Sequence, residues 1–206
     1  MGDPLFDEGI NAAVLLIVVG KVLVVFAFLM VSVLFMVWFE RKVISDMQSR
    51  IGPDRAGPWG IGQTLADGIK LFFKEALMPD RADRKVFLLA PFLSIVPAFL
   101  TFAVVPFGGE ISIAGHRTQM QLADPPVGVL WLLAMSGIAV YGIMLAGWSS
   151  GSKYPLLGSV RASAQMVSYE AAMSLAIAAA VLAAGSLSTR DIVIAQEGYR
   201  WNLWVL

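Results

Sequence analysis

The sequence predicts an all-α fold: a polytopic bundle of membrane helices with one amphipathic helix at the membrane interface. Apolar residues make up 58% of the 206 residues and charged residues 15%, whereas soluble domains have roughly 45–50% and about 25%. The mean hydropathy is +0.74. Four long apolar segments each supply the roughly 20 residues that a helix needs to cross a bilayer core of about 30 Å. We therefore expect a multi-pass membrane protein.

The composition also excludes several functional classes. The chain has no cysteine, which excludes disulfides, cysteine-ligated zinc, iron–sulfur clusters and thiol catalysis. Its one histidine, His116, excludes bis-histidine haem and histidine-rich metal sites. Fifteen basic and fifteen acidic residues cancel, so no basic surface is expected to bind nucleic acid. We expect no metal site and no redox centre in this chain.

The apolar segments define the predicted spans. The first predicted span, residues 12–39, is roughly 42 Å long at about 1.5 Å per residue, so this helix is expected to tilt or to protrude. The last apolar segment has only begun when the sequence ends, which predicts that the chain continues further. We expect residues 1–206 to form one membrane domain. The four predicted spans and the start of a fifth lie at about 12–39, 86–107, 127–148, 162–187 and from 201.

The distribution of lysine and arginine predicts the orientation. The first connection, residues 40–85, holds nine basic residues, whereas the second holds only Arg117 and the third holds Lys153 and Arg161. Cytoplasmic loops carry the excess of basic residues in membrane proteins. We expect the N-terminus outside, with the first and third connections in the cytoplasm.

The first connection begins with a segment, residues 39–63, that is rich in glycine and proline. Such breakers predict an irregular loop rather than a helix. The charged triplet Glu40, Arg41 and Lys42 opens this segment. Its plain interpretation is a charged cluster that marks the end of a membrane span.

An amphipathic helix is predicted next, at about 62–78. Apolar residues recur at helical spacing from Leu65 onward, and Asp67, Lys70 and Lys74 fall on another face, with Glu75 nearby. Pro79 is expected to end the helix. One interpretation is a surface anchor with solvated charges. The other is that the helix and the preceding loop line a cavity that lipid-soluble carbonyl compounds, such as quinones, enter from the membrane.

A second unusual feature is the acidic residue Glu170 in the fourth predicted span. If this helix starts near Ala162, Glu170 lies roughly 12 Å inside it, where a charged side chain costs about 2.5–3.5 kcal/mol and usually has a role or a partner. If the helix starts at Ala171, Glu170 lies at the interface. The polar residues just before it favour a hydrated interior path for protons.

Four segments together carry a specific resemblance. They are FERKVISDMQSRIGP (39–53), DRAGPWGIGQTLADGIKLFFKE (54–75), LAPFLSIVPAFLTFAVVPF (89–107) and GWSSGSKYPLLGSVRASAQMVSYE (147–170). These segments closely resemble the quinone-site membrane subunit of bacterial proton-pumping NADH-quinone oxidoreductase (respiratory complex I), in its N-terminal part. The resemblance covers about residues 12–206, in order and with matching spacing, although no family motif matches residues 108–124.

The resemblance implies three groups of functional residues. One group borders the quinone cavity, a second stands on the interfacial helix and couples the cavity to interior water, and a third belongs to a buried proton path. In the same order, the groups are Glu40, Arg41, Lys42 and Arg50; Asp67, Lys70, Lys74 and Glu75; and Arg161, Tyr169 and Glu170.

The resemblance also implies a wider assembly. The family has eight membrane helices, of which this sequence supplies four and the beginning of a fifth, and its acidic coupling loop would follow residue 206. Quinone is then the substrate, while NADH, FMN and iron–sulfur clusters belong to partner subunits. The implied partners are antiporter-like and small membrane subunits and the peripheral quinone module, in a bacterial inner membrane.

Three alternatives remain open from the residues themselves. A related membrane subunit of a membrane-bound hydrogenase shares most of these motifs without using quinone. A secondary transporter also uses membrane acids and broken helices. A passive anchor would only dock a soluble dehydrogenase or hydrogenase.

Overall fold

The computed structural model describes residues 3–6, 9, 11–197 and 201–205. The chain divides into two compact units, one formed by residues 19–77 and the other by residues 1–18 and 78–206. The helices are α1 (Ala12–Met47), α2 (Gln63–Phe73), α3 (Arg84–Thr101), α4 (Gly128–Ser149), α5 (Lys153–Ala184), α6 (Thr189–Ile194) and α7 (Asn202–Val205), and the strands are β1 (Glu110–Ile113) and β2 (His116–Gln119).

The all-α prediction is confirmed. Within the described residues, four helices are long and apolar enough to cross a membrane, namely α1, α3 with the 3-10 turn that follows it to Val104, α4 and α5. Most of their large apolar side chains are exposed on the isolated chain. That pattern suits helices whose outer surfaces meet lipid tails or other membrane subunits.

Helix α1 is longer than predicted. Its 36 residues extend over about 54 Å and end at Met47, so the prediction of an irregular loop from residue 39 is wrong for the first part of that segment. The reason is local, since no glycine or proline occurs between Gly20 and Gly52. Glu40, Arg41 and Lys42 consequently lie on the last turns of a helix.

In the unit of residues 19–77, the loop after α1 folds back onto that helix. The Trp38 indole donates a hydrogen bond to the Trp59 carbonyl at 3.0 Å, and the Thr64 hydroxyl donates one to the Leu34 carbonyl at 3.3 Å. Gly60 has a φ of 75°, and a Cβ there would lie 2.7 Å from the Asp54 nitrogen. Only glycine fits this turn without strain.

Helix α2 ends earlier than predicted. Its last residue is Phe73, and Lys74 already has an extended backbone with φ −78° and ψ 143°. The predicted end near Met78 is therefore wrong by about one turn. The apolar periodicity continues past Phe73 without a glycine or proline until Pro79, so the sequence contains no breaker that marks the true end.

The second unit is built around α4, which packs against α3 on one side and α5 on the other. Backbone hydrogen bonds of 3.0 Å join Asp83 to Ser149 and Val129 to Leu187. These bonds bring the start of α3 to the end of α4, and the start of α4 to the end of α5, as in an antiparallel bundle. Gly142 permits close approach, because a Cβ there would lie 2.7 Å from the Ala90 carbonyl oxygen.

Helix α5 begins at Lys153 and has 32 residues. Both starts considered from the sequence, near Ala162 and at Ala171, are wrong. Glu170 instead lies about 26 Å from the first residue of a helix of about 48 Å. The acid is therefore in the middle third of a long helix rather than near its end.

The connection between α3 and α4 contains a hairpin that sequence reasoning missed. Strands β1 and β2 are antiparallel with Ile113 opposite His116. The two turn residues, Ala114 and Gly115, have φ values of 52° and 89°, which match a two-residue hairpin turn. The Thr118 hydroxyl on β2 donates to the Asp3 carboxylate at 2.8 Å, which fixes the N-terminal segment to the hairpin.

Candidate functional site

Three of the predicted site residues meet at Asp67 on α2. The Arg41 Nη1 atom, near the end of α1, lies 2.6 Å from Asp67 Oδ2. The Lys70 ammonium lies 3.6 Å from Asp67 Oδ1, and the Gln63 amide donates to the same oxygen at 3.1 Å. Helical spacing explains the contacts of Asp67 with Gln63 and Lys70, because residues three and four apart on α2 share one face. The cluster ties the end of α1 to the interfacial helix.

The electrostatics of this cluster favour an ionised Asp67. The hydrogen bond from Arg41 lowers the pKa of the Asp67 carboxyl, and the hydrogen bond from Gln63 adds to this effect. Partial burial opposes them, while the charge of Lys70 lowers the pKa further. Asp67 therefore stays negative at neutral pH and holds Arg41 in a fixed position.

A cavity of about 430 Å³ lies beside this cluster, within the same unit. Its lining combines cationic and amide donors with apolar side chains, which is the usual composition of a small-molecule site. Arg50 is held in part by a 2.7 Å hydrogen bond from its Nε to the Gln48 side chain. The lining residues are Arg41, Ile44, Arg50, Gly52, Pro53 and Gln63.

The other predicted members of the first two groups lie outside this cavity lining. Glu40 is exposed on α1, and Lys42 is half-buried with its aliphatic chain near Gly52. Lys74 and Glu75 are exposed and follow the end of α2. The structure thus brings Arg41, Arg50, Asp67 and Lys70 to one region, whereas Glu40, Lys42, Lys74 and Glu75 do not line the cavity.

Glu170 has a specific environment between α4 and α5. Its side chain accepts a hydrogen bond from the Ser136 hydroxyl of α4. A Cβ added to Gly137 would lie 3.7 and 3.9 Å from the two carboxylate oxygens, so the acid occupies space that the glycine leaves. Glu170 also lines a cavity of about 700 Å³ with residues of both helices, including Tyr141 and Ser163.

Arg161 and Tyr169 lie elsewhere on the same helix. They line a shallow, open depression together with Gln165 and Ser168, and both side chains are exposed on this chain. Glu170 instead faces α4. The three residues of the third predicted group therefore occupy two different faces of α5.

Sequence reasoning missed Ser136 and gave Gln63 no site role. Ser136 is one of two serines in the apolar helix α4, and such residues are common in membrane helices. A partner for Glu170 was expected on energetic grounds, but its position on α4 depends on the register between the two helices. Gln63 was visible on the polar face of α2 and lies one turn before Asp67.

Among the residues that the structure describes, no group of three or more histidine, aspartate or glutamate side chains is placed to hold a metal ion. Asp67 instead has Arg41, Lys70 and Gln63 as partners, and Glu170 has Ser136. These described contacts are hydrogen bonds and ion pairs of carboxyl groups.

Comparisons with known proteins show the family to which the chain belongs. A family model described as NADH dehydrogenase matches residues 20–206. Two proteins named as the H subunit of NADH-quinone oxidoreductase, from Frankia casuarinae and Frankia alni, are 58% and 57% identical over 89% of this chain and 40% of their own length. A protein of the same name from Streptomyces avermitilis is 55% identical over 92% of this chain and 42% of its own length.

The chain spans about two fifths of the length of the curated relatives it matches. The family match nevertheless extends over nearly all of it, through α1, the loop, α2 and the three-helix bundle. This chain is a member of the NADH dehydrogenase family, and it is similar to part of the H subunits of NADH-quinone oxidoreductases.

Proposed function

We propose that this chain belongs to the membrane subunit of a proton-translocating NADH-quinone oxidoreductase and forms part of its quinone-binding cavity. The observation that carries the proposal is the cavity of about 430 Å³ beside the Arg41–Asp67 pair, lined by two arginines and an amide. A quinone headgroup is a flat apolar ring with two carbonyl acceptors. Guanidinium and amide donors beside apolar side chains suit that chemistry.

The position of the cavity supports delivery from the membrane. It lies at the end of α1, a helix long enough to cross a bilayer, and beside α2, whose apolar face is exposed. Phe72 is 90% exposed on this chain, which suits an interfacial helix with its apolar face toward acyl chains. A lipid-soluble substrate diffuses in that same layer.

Asp67 has a defined task in this proposal. It holds Arg41 through a charge-assisted hydrogen bond, the strong class of hydrogen bond in proteins. Reduction of a quinone adds negative charge to its oxygens, and a fixed guanidinium stabilises that charge. Electrons arrive from NADH through FMN and iron–sulfur clusters of partner subunits, and this chain contributes binding, orientation and electrostatics.

Glu170 carries the second half of the proposal, the relay from quinone reduction to proton movement. It lies in the middle of a long apolar helix and beside a cavity between α4 and α5. A carboxyl group in such a place exchanges protons when nearby charge changes, since electrostatic interactions are strong where water is scarce.

We further propose a bacterial inner-membrane location with the N-terminus outside.

The test replaces Arg41 in the assembled enzyme. Loss of a charge-assisted hydrogen bond to substrate is expected to raise the KM for quinone by about tenfold or more with Arg41→Ala. Arg55→Ala is the matched control, because Arg55 is an exposed arginine of the loop between α1 and α2 and is absent from the cavity lining. Electron transfer from NADH to a water-soluble acceptor that bypasses quinone is measured in parallel.

The competing functions give different results. A passive anchor predicts unchanged quinone kinetics with Arg41→Ala, together with lower assembly. A hydrogenase subunit predicts copurification of hydrogenase partners in place of NADH-oxidising subunits. A transporter predicts solute flux by the purified chain in vesicles without partners. Any of these results would overturn the proposal.

A further inference from the structure

The Ser136 hydroxyl makes two contacts that compete for its one proton. The Ser136 hydroxyl oxygen is within hydrogen-bond distance of two acceptors, the Glu170 carboxylate and the Leu133 carbonyl oxygen at 2.9 Å. A serine hydroxyl has only one proton to donate and two lone pairs to accept with. The two contacts therefore need different proton arrangements according to the state of Glu170.

With Glu170 ionised, its oxygen only accepts, so Ser136 must donate to it and the contact with Leu133 has no proton. With Glu170 protonated, the carboxyl O–H donates to the Ser136 oxygen, and Ser136 donates to Leu133. Both contacts are then satisfied. The hydroxyl keeps its own proton in either state and changes only its direction.

We propose that Ser136 is a positioning residue for proton exchange at Glu170: its hydroxyl reorients between the carboxylate and the Leu133 carbonyl as the acid ionises. The inference rests on the relay role proposed for Glu170 and adds to it the partner that holds the carboxyl in both states. When the acid ionises, its O–H bond breaks, and we assign the proton to a water molecule that enters the adjoining cavity, where the lining includes Tyr141 and Ser163. Reprotonation reverses both events.

Because Glu170 is partly buried, the loss of its hydrogen bond with Ser136 is expected to be costly. Glu170 and Ser136 are both shielded from full exposure even in the isolated chain, and unpaired polar groups in such surroundings carry a large desolvation cost. Gly137 contributes by leaving room beside the carboxylate oxygens. Ser136 and Gly137 of α4 together accommodate the Glu170 side chain of α5, one by a hydrogen bond and the other by leaving space.

Within the part of the chain that the structure describes, few charged or titratable groups surround Glu170. Tyr141 of α4 lines the same cavity. On α5 itself, Tyr169 and Arg161 lie along a different face. Helix α3, which packs on the other side of α4, meets it through Ser94 and has its charged residues Arg84 and Lys85 at its start. Ser136 is therefore the neighbour whose loss is expected to alter Glu170 most.

The experiment uses the assembled enzyme in proteoliposomes. Proton pumping and quinone reduction are measured against pH, and the carboxyl band is recorded in infrared difference spectra on reduction. Glu170→Gln identifies the band. Ser136→Ala is expected to move that band and to shift the pH profile of pumping by about one pH unit, whereas Ser136→Thr restores both because it keeps the hydroxyl.

Two further variants exclude general structural effects. Ser174→Ala is the matched control, since its hydroxyl donates at 2.8 Å to the backbone oxygen of Glu170 rather than to the carboxylate, and it is expected to leave band and profile unchanged. Ser136→Cys keeps the side-chain size but donates weakly, so it is expected to resemble Ser136→Ala even if the alanine variant fails to assemble.

The outcomes separate the two proposals. If Glu170→Gln removes a carboxyl band and lowers pumping while Ser136→Ala and Ser136→Cys match the wild type, the inference about Ser136 is wrong and the role of Glu170 stands. If Glu170→Gln leaves pumping, reduction and spectra unchanged, the relay role itself is wrong, and the inference is overturned with it.

Discussion

The Arg41 guanidinium and the Asp67 carboxylate lie 2.6 Å apart and join the end of α1 to α2 across 26 residues of sequence. This pair fixes one wall of the cavity that also contains Arg50 and Gln63. The position of Arg41 in that wall therefore depends on the charge of Asp67.

Asp67→Asn is expected to weaken quinone binding even though Asp67 does not line the cavity itself. The amide keeps the shape but removes the charge that holds Arg41 and Lys70. A rise of several-fold in the KM for quinone is expected, smaller than with Arg41→Ala, because the guanidinium remains but is less fixed. Steady-state kinetics of the assembled enzyme check this. Asp54→Asn, an exposed loop aspartate, is the matched control, and an equal effect of both variants would contradict the account.

The pH dependence of this pair has a defined sign. The Arg41 hydrogen bond lowers the pKa of Asp67, so the pair is intact above the ordinary aspartate range and is lost only as the pH falls through the lowered pKa. Between about pH 5 and 8 the ratio of quinone KM values for Asp67→Asn and wild type is therefore expected to stay constant. A titration step in that ratio within this window would show that Asp67 is not held ionised.

The loop before α2 gives a third prediction, from a pair of matched glycines. Gly57 and Gly60 both have a φ of 75°, but a Cβ at Gly57 has its nearest neighbour at 3.7 Å, whereas a Cβ at Gly60 would collide with the backbone of Pro53 and Asp54. Gly57→Ala is expected to cost about 1–3 kcal/mol through backbone strain alone, because φ 75° with ψ −178° is a conformation essentially restricted to glycine. Gly60→Ala is expected to cost more, about 2–4 kcal/mol.

Limited proteolysis of the loop and thermal inactivation of quinone reduction measure this difference. Faster cleavage and earlier inactivation are expected with Gly60→Ala than with Gly57→Ala. Equal behaviour of the two variants would mean that the turn does not adopt the described close approach.

A fourth prediction concerns packing in the three-helix bundle. Gly142→Ala places a methyl group 2.7 Å from the Ala90 carbonyl oxygen, so α3 and α4 must separate. Overpacking of this kind costs about 1–3 kcal/mol. Gly158→Ala on α5 has no atom within 4 Å and serves as the control. The amount of assembled enzyme in the membrane and its thermal midpoint in detergent are expected to fall only with Gly142→Ala.

The class of fold was predictable because hydrophobic length and charge distribution are local properties of the sequence. Helices α3 and α4 lie in the two apolar segments, 86–107 and 127–148, that were predicted to be helical. The end of α1 was not predictable because helix continues through the charged segment 40–47, which contains no glycine or proline, and the end of α2 has no breaker before Pro79. The start of α5 was not predictable because Pro155 and Gly158, which usually indicate a loop, lie within its first two turns.

The candidate site was predictable in its residue types but not in its pairings. The spacing on α2 indicated that Asp67 and Lys70 share a face, as they do. That Arg41 meets Asp67, and that Ser136 meets Glu170, depends on how distant segments pack. Lys74 follows the end of α2, so the periodicity that grouped it with Asp67 does not apply to it.

The most direct test of the central claim is photoaffinity labelling of the assembled enzyme with a quinone analogue, followed by mapping of the labelled residues. Labelling is expected in residues 41–63, around Arg41, Arg50 and Gln63, and excess unlabelled quinone is expected to suppress it. Saturable labelling confined to other segments or other subunits, with none in residues 41–63, would contradict the assignment of this cavity to quinone.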